Sequence, residues 1–248
     1  MTQIILPVDI RPASFKWQDQ KFLTLGAGKI GKSEFWCQDL GHLFIETEPG
    51  LDHLPIRKLA CRSWEDLREI YMALYQAHTA EQPFPYSTIV IDTIDRLIAF
   101  SQKECVLRAK AKYSKIADSI STIGDIPEGN GWFWSLQMVE NMLDKLVEFP
   151  AAISLISHVQ AKDIKMPTRT VTKQTISIGG QMGSRLLHWT DHTLNIQSRY
   201  NGDNIERIVY TKPTETMEAG SRGNRVPNEW KWTGNALENF AALQACFE

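Results

Sequence analysis

Eight consecutive residues of this sequence combine backbone freedom with the side chains that hold a phosphate chain. The run reads Gly26-Ala27-Gly28-Lys29-Ile30-Gly31-Lys32-Ser33, the G-x-x-x-x-G-K-S pattern of a phosphate-binding loop. Its glycines allow successive backbone N–H groups to turn inward towards one anion. Lys32 can then reach the β- and γ-phosphates, while the hydroxyl of Ser33 can bind Mg²⁺. The pattern predicts a site for a nucleoside triphosphate with Mg²⁺, and the site includes the next residue, Glu34.

A second metal-binding group is expected at the end of a buried-type strand over residues 87–92. This segment is β-branched and apolar, and it ends on the carboxylate of Asp92. An acid at that position can hold a water molecule on Mg²⁺ opposite Ser33. The alternative is that Asp92 caps the helix that follows. Ser33 and Asp92 are therefore the predicted magnesium residues.

Glu48 is the candidate for orienting or deprotonating an attacking water. It follows a predicted strand over residues 43–47, so its carboxylate should lie at the sheet edge where open α/β folds bind ligands. Glu46 has a competing claim, because strand alternation sends both carboxylates to the same side. Either acid can instead be a solvated loop residue.

Three histidines are candidates for further roles. His158 follows a third apolar run over residues 152–157, where a polar side chain can sense a terminal phosphate; a hydrogen-bonded core histidine is the alternative. His188 and His192 are four residues apart, a spacing that serves a metal only on a helix. The segment becomes strand-like at His192, so the sequence argues against zinc.

The elements that must position these residues alternate between strand and helix. The expected strands cover residues 22–25, 43–47, 87–92 and 152–157, and the expected helices cover residues 34–40, 63–78, 95–117 and 132–147. Alternation of this kind predicts an α/β fold with a mostly parallel sheet and helices on both faces. A glycine-rich loop is expected at 118–131, a polar, basic loop at 160–178, a β-rich C-terminal part from 191, and a short helix near 235–246. We divide the chain into a lead-in (1–20), a core (21–215) and a C-terminal extension (216–248).

The composition is that of an ordinary globular protein. The 248 residues are 43% hydrophobic and 23% charged, with a net charge of −2. The four cysteines form no C-x-x-C pair, which indicates reduced thiols. No apolar run is long enough to cross a bilayer, and the N-terminus lacks signal-peptide character, so we expect a cytoplasmic protein without membrane contact. The net charge does not indicate a nucleic-acid-binding protein, so any DNA contact would depend on a local basic segment.

In this order the motifs resemble those of RecA-like recombination ATPases, over roughly residues 20–215. More narrowly, the chain looks like the phage ATP-binding proteins of RecA type that assist single-strand annealing. Four elements carry the resemblance: residues 26–33, the run Phe44-Ile45-Glu46-Thr47-Glu48 followed by Leu51-Asp52, the run Val90-Ile91-Asp92, and Ile178-Gly179-Gly180 leading to Asp191-His192-Thr193-Leu194.

The resemblance implies a RecA-like P-loop core that hydrolyses ATP with Mg²⁺. It implies that Glu48 is the catalytic glutamate and that Asp52 lies close to the adenine. Enzymes of the AAA-plus type usually carry their water-activating glutamate directly after the strand-end acid, and this chain has Thr93 there. His158 stands where the bacterial recombinase has a glutamine.

The resemblance also implies that residues 118–131 and 160–178 face single-stranded DNA. The second segment carries four cations against Asp163, a surplus of three positive charges (four minus one); the cations are Lys162, Lys165, Arg169 and Lys173. Such a segment would meet the DNA backbone with little sequence preference. Trp132 and Trp134 are the only tryptophans that we consider for contact with bases.

Members of this group commonly complete the site across a subunit boundary with a basic side chain. Lys212 stands where their trans-acting lysines lie, and Arg222 is a looser candidate. We therefore expect a homo-oligomer, either a ring or a filament. The chain lacks the N-terminal oligomerisation helix and the C-terminal DNA-gating domain of the bacterial recombinase, so filaments of that type are not implied.

Together these features predict an ATPase that acts on single-stranded DNA in recombination or annealing, alongside a single-strand-binding protein and in the host cytoplasm if the chain is phage-encoded. A nucleotide-dependent module that regulates a protein partner, with little DNA affinity, is the alternative. A small-molecule kinase is disfavoured because no arginine-rich lid follows a helix.

Overall fold

The structure is a computed structural model that describes residues 15–202 and 204–247. Residues 1–14 of the expected lead-in lie outside the described residues. The described part contains eleven strands and six α-helices. The strands are β1 (Lys21–Gly26), β2 (His42–Glu46), β3 (Lys58–Ala60), β4 (Thr88–Asp92), β5 (Ala152–Ser157), β6 (Val159–Lys165), β7 (Thr170–Ile176), β8 (His192–Asn201), β9 (Asn204–Tyr210), β10 (Gly220–Ser221) and β11 (Glu229–Lys231). The helices are α1 (Lys32–Trp36), α2 (Trp64–Thr79), α3 (Ile94–Lys112), α4 (Asn130–Leu146), α5 (Gly180–Trp189) and α6 (Ala236–Gln244).

Nine of the described strands form one sheet in the order β11-β9-β8-β1-β5-β4-β2-β3, with β10 paired to β8. The pairs from β3 to β8 are all parallel. Strands β9, β10 and β11 are antiparallel to their partners and make the C-terminal part rich in β-structure. The predicted α/β class, with a mostly parallel sheet and a β-rich C-terminal part, is confirmed.

Both faces of the sheet are covered, as a parallel sheet requires. Leu23 and Leu25 of β1 point into a core that includes residues of α2, α3, α4 and α5. Phe22, on the other face of the same strand, packs with residues of α1 and α6. This alternation places a helical layer on each side of β1, the strand that leads into the phosphate loop.

Residues 216–247 contribute to the second of these cores. Trp232, Phe240 and Phe247 are buried in the same apolar cluster as Trp17 and Phe22. The ring of Phe247 lies 5.7 Å from the ring of Phe22. The C-terminal segment therefore packs directly on the strand that leads into the phosphate loop.

Several helix and strand boundaries agree with those predicted from local sequence signals. The hydroxyl of Ser63 accepts a hydrogen bond from the backbone N–H of Asp66 at 3.1 Å, which starts α2 where the capping pattern predicted. Strand β5 covers the predicted residues, and α6 lies within the predicted range. Within the described residues, no helix is long and apolar enough to cross a membrane.

The prediction of a loop over residues 160–178 is wrong. Strands β6 and β7 form an antiparallel hairpin there, and Val171 and Ile176 are its buried anchors. The other side chains of the hairpin are mostly polar and exposed, so the segment resembled a loop. Helix α5 and the short strand β3 were also missed. The predicted loop at 118–131 contains short 3₁₀ turns and the first residues of α4.

Candidate functional site

The phosphate loop connects β1 to α1 in a tightly curled conformation. Lys29 and Gly31 have positive φ angles of 61° and 102°. A Cβ atom on Gly31 would lie 3.2 Å from Nη1 of Arg207 and 3.2 Å from Cζ3 of Trp232. Glycine is therefore required at position 31 for both its backbone angle and its close neighbours.

Lys32 lies at the mouth of this loop and is buried. Its ammonium group donates to the carbonyl oxygens of Gly26 and Ala27, each at 2.8 Å. Burial lowers the pKa of Lys32, while the negative charges of Asp92 and Asp95 raise it. A bound polyphosphate would add further negative charge and stabilise the protonated ammonium.

Ser33 and Asp92, the two predicted magnesium residues, are in direct contact. The hydroxyl of Ser33 donates to Oδ2 of Asp92 at 2.5 Å. Burial raises the pKa of Asp92, and the hydrogen bond from Ser33 and the charge of Lys32 counteract part of that effect. Hydroxyl and carboxylate oxygens are the ligands or water-holding groups that Mg²⁺ uses beside phosphates. The residues present therefore fit Mg²⁺, whose charge would favour the ionised carboxylate.

Glu46 and Glu48 lie in different environments. Glu46 is buried, and its carboxylate is paired with Lys58 at 3.0 Å and with Arg62 at 2.8 Å. Burial acts to raise the pKa of Glu46, but the hydrogen bonds from Lys58 and Arg62 outweigh it and lower the pKa overall. Two bound cations make Glu46 a poor proton acceptor, so its claim to the catalytic role is not supported.

Glu48 is exposed at the sheet edge beside β4. It accepts a hydrogen bond from the hydroxyl of Thr93 at 3.3 Å, and Thr93 directly follows Asp92. The side chain of Thr47 ties the two strand ends together, since its hydroxyl accepts from the N–H of Thr93 at 2.7 Å and donates to its carbonyl at 2.9 Å. These bonds hold Glu48 against Thr93, the residue after Asp92, but Glu48 lines a neighbouring cavity with Arg62 and Arg96 and not the phosphate cavity itself.

The phosphate loop faces a cavity of about 310 Å³, hereafter the phosphate cavity. Lys32, Ser33, Asp92, Thr93 and His158 all line it. The carbonyl of His158 accepts the N–H of Ser177 at 3.0 Å, at the base of the β6–β7 hairpin. His158 therefore lies between the phosphate cavity and the hairpin.

A family model described as an AAA domain matches residues 18–223, which is most of the chain. The chain belongs to this AAA domain family. With the phosphate loop, membership makes it a P-loop NTPase of ATPase type. No curated protein matches the sequence. A solved structure with similarity is the KaiC-like protein PH0186 from the hyperthermophilic archaeon Pyrococcus horikoshii OT3, at 10% identity and a TM-score of 0.47, covering 88% of this chain and 87% of that chain.

Three other predicted residues of the AAA domain are not among those that line the phosphate cavity. Asp52 is 90% exposed in its side chain and pairs with Lys58 at 2.5 Å. Lys212 is exposed on a separate cavity beside Asn228. Arg222 is engaged in an ion pair with Asp191 at 2.7 Å. None of these three residues lines the phosphate cavity, although Leu51 and His53, on either side of Asp52, do.

His192 of the AAA domain is buried at the start of β8. Its Nε2 donates to Oε1 of Gln20 at 3.0 Å, and its Nδ1 accepts from the hydroxyl of Ser221 at 2.8 Å. Burial lowers the pKa of His192 to about 4. Among the described residues, no group of three or more histidine, cysteine or acidic side chains is placed to hold a metal ion.

The predicted DNA-binding cations all lie on the hairpin of the AAA domain. Lys162 and Lys165 are exposed on β6, and no ion pair joins either one to another described residue. Arg169 pairs with Glu215, and Lys173 pairs with Glu218 at 2.9 Å. Glu215 and Glu218 therefore neutralise part of the local positive charge.

Sequence reasoning missed three residues near the site. Arg207 and Trp232 come from β9 and from the residue after β11, and they reach the loop only through the fold. Asp95 accepts a hydrogen bond from the hydroxyl of Ser177, linking the start of α3 to the end of the hairpin. The only sequence signal for Asp95 was its position three residues after Asp92, where it resembled an ordinary acidic residue in the first turn of a helix.

Proposed function

We propose that this AAA domain hydrolyses ATP with Mg²⁺ and acts on single-stranded DNA in recombination or annealing, as the phage RecA-type ATPases that it resembles do. Homo-oligomers form the working state, in which Lys212 of one copy completes the site of its neighbour. The protein-partner module remains the alternative if DNA does not bind.

Hydrolysis proceeds by in-line attack of water on the γ-phosphorus. Glu48 orients the water and takes its proton, while the bond from the γ-phosphorus to the bridging oxygen breaks and ADP leaves. Lys32 and the loop N–H groups stabilise the charge that develops on the phosphate oxygens. Ser33 and Asp92 would hold Mg²⁺, which would supply charge neutralisation at the phosphate chain.

The observation that carries the DNA proposal is an apolar groove beside the hairpin, hereafter the aromatic groove. It has a volume of about 890 Å³ and lies between α3, the start of α4 and residues 177–182. Trp132 and Phe133 line this groove, and they are 58% and 59% exposed. Large aromatic side chains are normally buried. Exposed aromatic faces beside a groove are what stacked bases need.

Trp132 therefore keeps its proposed role in DNA contact, and Phe133 replaces Trp134 as its partner. Trp134 is half-buried in a separate small core and lies under the ammonium of Lys112, 5.0 Å from the ring centroid. These packing contacts explain a tryptophan at position 134 without any bound ligand.

The charges of the hairpin favour an anionic ligand next to the groove. Lys162 lies directly opposite Lys173 in the antiparallel register. Like charges in such a pair are mutually destabilising, and Glu218 relieves only Lys173. A phosphate of single-stranded DNA beside Lys162 would relieve the remaining repulsion.

Oligonucleotide binding tests the proposal. We expect the protein with Mg²⁺ and a non-hydrolysable ATP analogue to bind a fluorescent single strand, and Trp132→Ala with Phe133→Ala to weaken binding by at least about tenfold, since each stacked base contributes roughly 1–3 kcal/mol. Tyr75→Ala is the matched control, because Tyr75 is an exposed helical aromatic outside the groove. Wild-type protein that binds ATP but no single strand would favour the protein-partner module.

A further inference from the structure

We propose that the nucleoside half of the bound nucleotide occupies a cavity between the phosphate loop and the C-terminal segment, and that Arg207 and Trp232 hold it there. This cavity, hereafter the C-terminal cavity, has a volume of about 540 Å³. The phosphate loop contributes Gly31 and Glu34 to it, and the opposite wall contains Arg207, Trp232 and Gly234. The inference rests on nucleotide binding at the phosphate loop.

The polarity of the site sets the direction in which the nucleoside leaves the loop. Lys32 acts on the β- and γ-phosphates, and Asp92, Thr93 and His158 line the end of the phosphate cavity where the γ-phosphate is attacked. The α-phosphate and the nucleoside must therefore extend away from these residues.

Gly31 and Glu34 line both the phosphate cavity and the C-terminal cavity. The two cavities therefore adjoin the same residues of the loop. A nucleoside that leaves the loop past Glu34 would enter the C-terminal cavity, whose volume falls in the range usual for small-molecule sites.

The chemistry of the wall suits a base and a ribose. Nη1 of Arg207 lies 3.2 Å from the position of a Cβ on Gly31, so the guanidinium already reaches the loop. A guanidinium stacks on flat rings and donates several hydrogen bonds. Trp232 is 8% exposed, and no described residue accepts a hydrogen bond from its indole N–H.

This wall is held in place before any ligand binds. The ring of Trp232 stacks on Phe35 of α1, with centroids 5.4 Å apart and an interplanar angle of 18°. The backbone N–H of Trp232 donates to the backbone carbonyl of Arg207 at 2.8 Å. Thr233 and Asn239 are joined by two hydrogen bonds of 3.0 and 3.1 Å, which fix the turn that follows. A preorganised wall loses little conformational entropy on binding.

The position that the resemblance implies for adenine is near Asp52. Leu51 and His53 line the phosphate cavity, but Asp52 between them does not, and its exposed carboxylate is paired with Lys58. The structure therefore favours the C-terminal cavity over Asp52 for the nucleoside.

Titration calorimetry with two ligands, Mg-ATP and magnesium tripolyphosphate, tests the inference. Arg207→Ala removes an exposed side chain, and Gly234→Phe fills the cavity from a position where a Cβ meets no atom within 4 Å. We expect each variant to lose about tenfold or more in ATP affinity, the scale of one cation–π contact, and to keep wild-type affinity for tripolyphosphate. Asp52→Ala is the matched control and should bind both ligands as wild type does.

Three results would overturn the inference. Wild-type ATP affinity in both variants would remove the nucleoside from the cavity. An equal loss of tripolyphosphate affinity in Arg207→Ala would assign that arginine to the phosphate chain. Wild-type protein that binds neither ligand would overturn nucleotide binding itself, and the inference with it.

Discussion

At the scale of single residues, two glutamates separated by one position differ in their capacity to accept a proton. Glu46 is bound by Lys58 and Arg62, whereas Glu48 contacts only the neutral hydroxyl of Thr93 among the hydrogen bonds of the described residues. The sequence placed both acids at one sheet edge but could not separate them. Their separation depends on Lys58, in β3, and on Arg62, in the connection between β3 and α2, and β3 was not predicted.

We expect Glu48→Gln to keep Mg-ATP affinity and to lower turnover by about a hundredfold or more, the usual effect of removing a general base. Glu46→Gln should instead lower the melting temperature and leave turnover close to that of wild type, because Glu46 forms two ion pairs, with Lys58 and with Arg62, that stabilise the fold. Steady-state ATPase assays with thermal unfolding measure both effects. Undiminished turnover in Glu48→Gln would remove Glu48 from its role.

His192 gives a prediction for stability against pH. Burial lowers its pKa from 6.5 to about 4, with Asp191 raising it and Arg222 and Lys21 lowering it. The unfolded chain therefore binds the proton more readily than the folded chain, and this contribution to the free energy of unfolding is lost as pH falls from about 6.5 towards 4.

Urea unfolding measured across that interval should show the loss in wild type and a smaller pH dependence in His192→Gln, which cannot titrate at this position. The same slope in both proteins would assign the pH dependence to other groups.

At the scale of elements, strands β1, β2, β4 and β5 were predictable because each is a short apolar run that ends at a turn signal. The hairpin was not predicted, because its side chains are polar on both faces and only Val171 and Ile176 anchor it. The C-terminal cavity was also beyond sequence reasoning: Gly31 and Arg207 lie far apart in the chain, and strands β8 and β9 bring them together. The phosphate loop needed no such tertiary information.

The hairpin lysines should contribute to DNA affinity through charge. Lys162→Ala with Lys165→Ala should weaken single-strand binding and lower the salt dependence of the affinity by about 0.7 for each lost phosphate contact. Arg169→Ala should have a smaller effect, because Glu215 already pairs with Arg169. Anisotropy titrations at several salt concentrations give both quantities. An unchanged salt slope in the double variant would exclude the hairpin from the DNA interface.

At the scale of the whole molecule, we propose that Lys212 of a neighbouring copy supplies a further cation beside the γ-phosphate. Lys212 lies exposed near Asn228 and away from the phosphate cavity of its own chain. If copies assemble so that Lys212 enters the adjacent site, inactive variants with different defects should complement each other.

Lys212→Ala and Lys32→Ala should each lack turnover alone, and their mixture should recover part of it. In the mixture, an intact phosphate loop from the first variant meets an intact Lys212 from the second. ATPase rates of the mixture, together with oligomer size from light scattering, measure the effect. A mixture that is no more active than its components would contradict assembly through Lys212.

The central claim is that the loop ending in Lys32 and Ser33, with Asp92 beside it, binds Mg-ATP. Calorimetric titration of wild type and Lys32→Ala with Mg-ATP tests it most directly. The account predicts saturable binding of one nucleotide per chain in wild type and its loss in Lys32→Ala, with both proteins folded by circular dichroism. No uptake by wild type at millimolar nucleotide, or equal affinity in the two proteins, would contradict it.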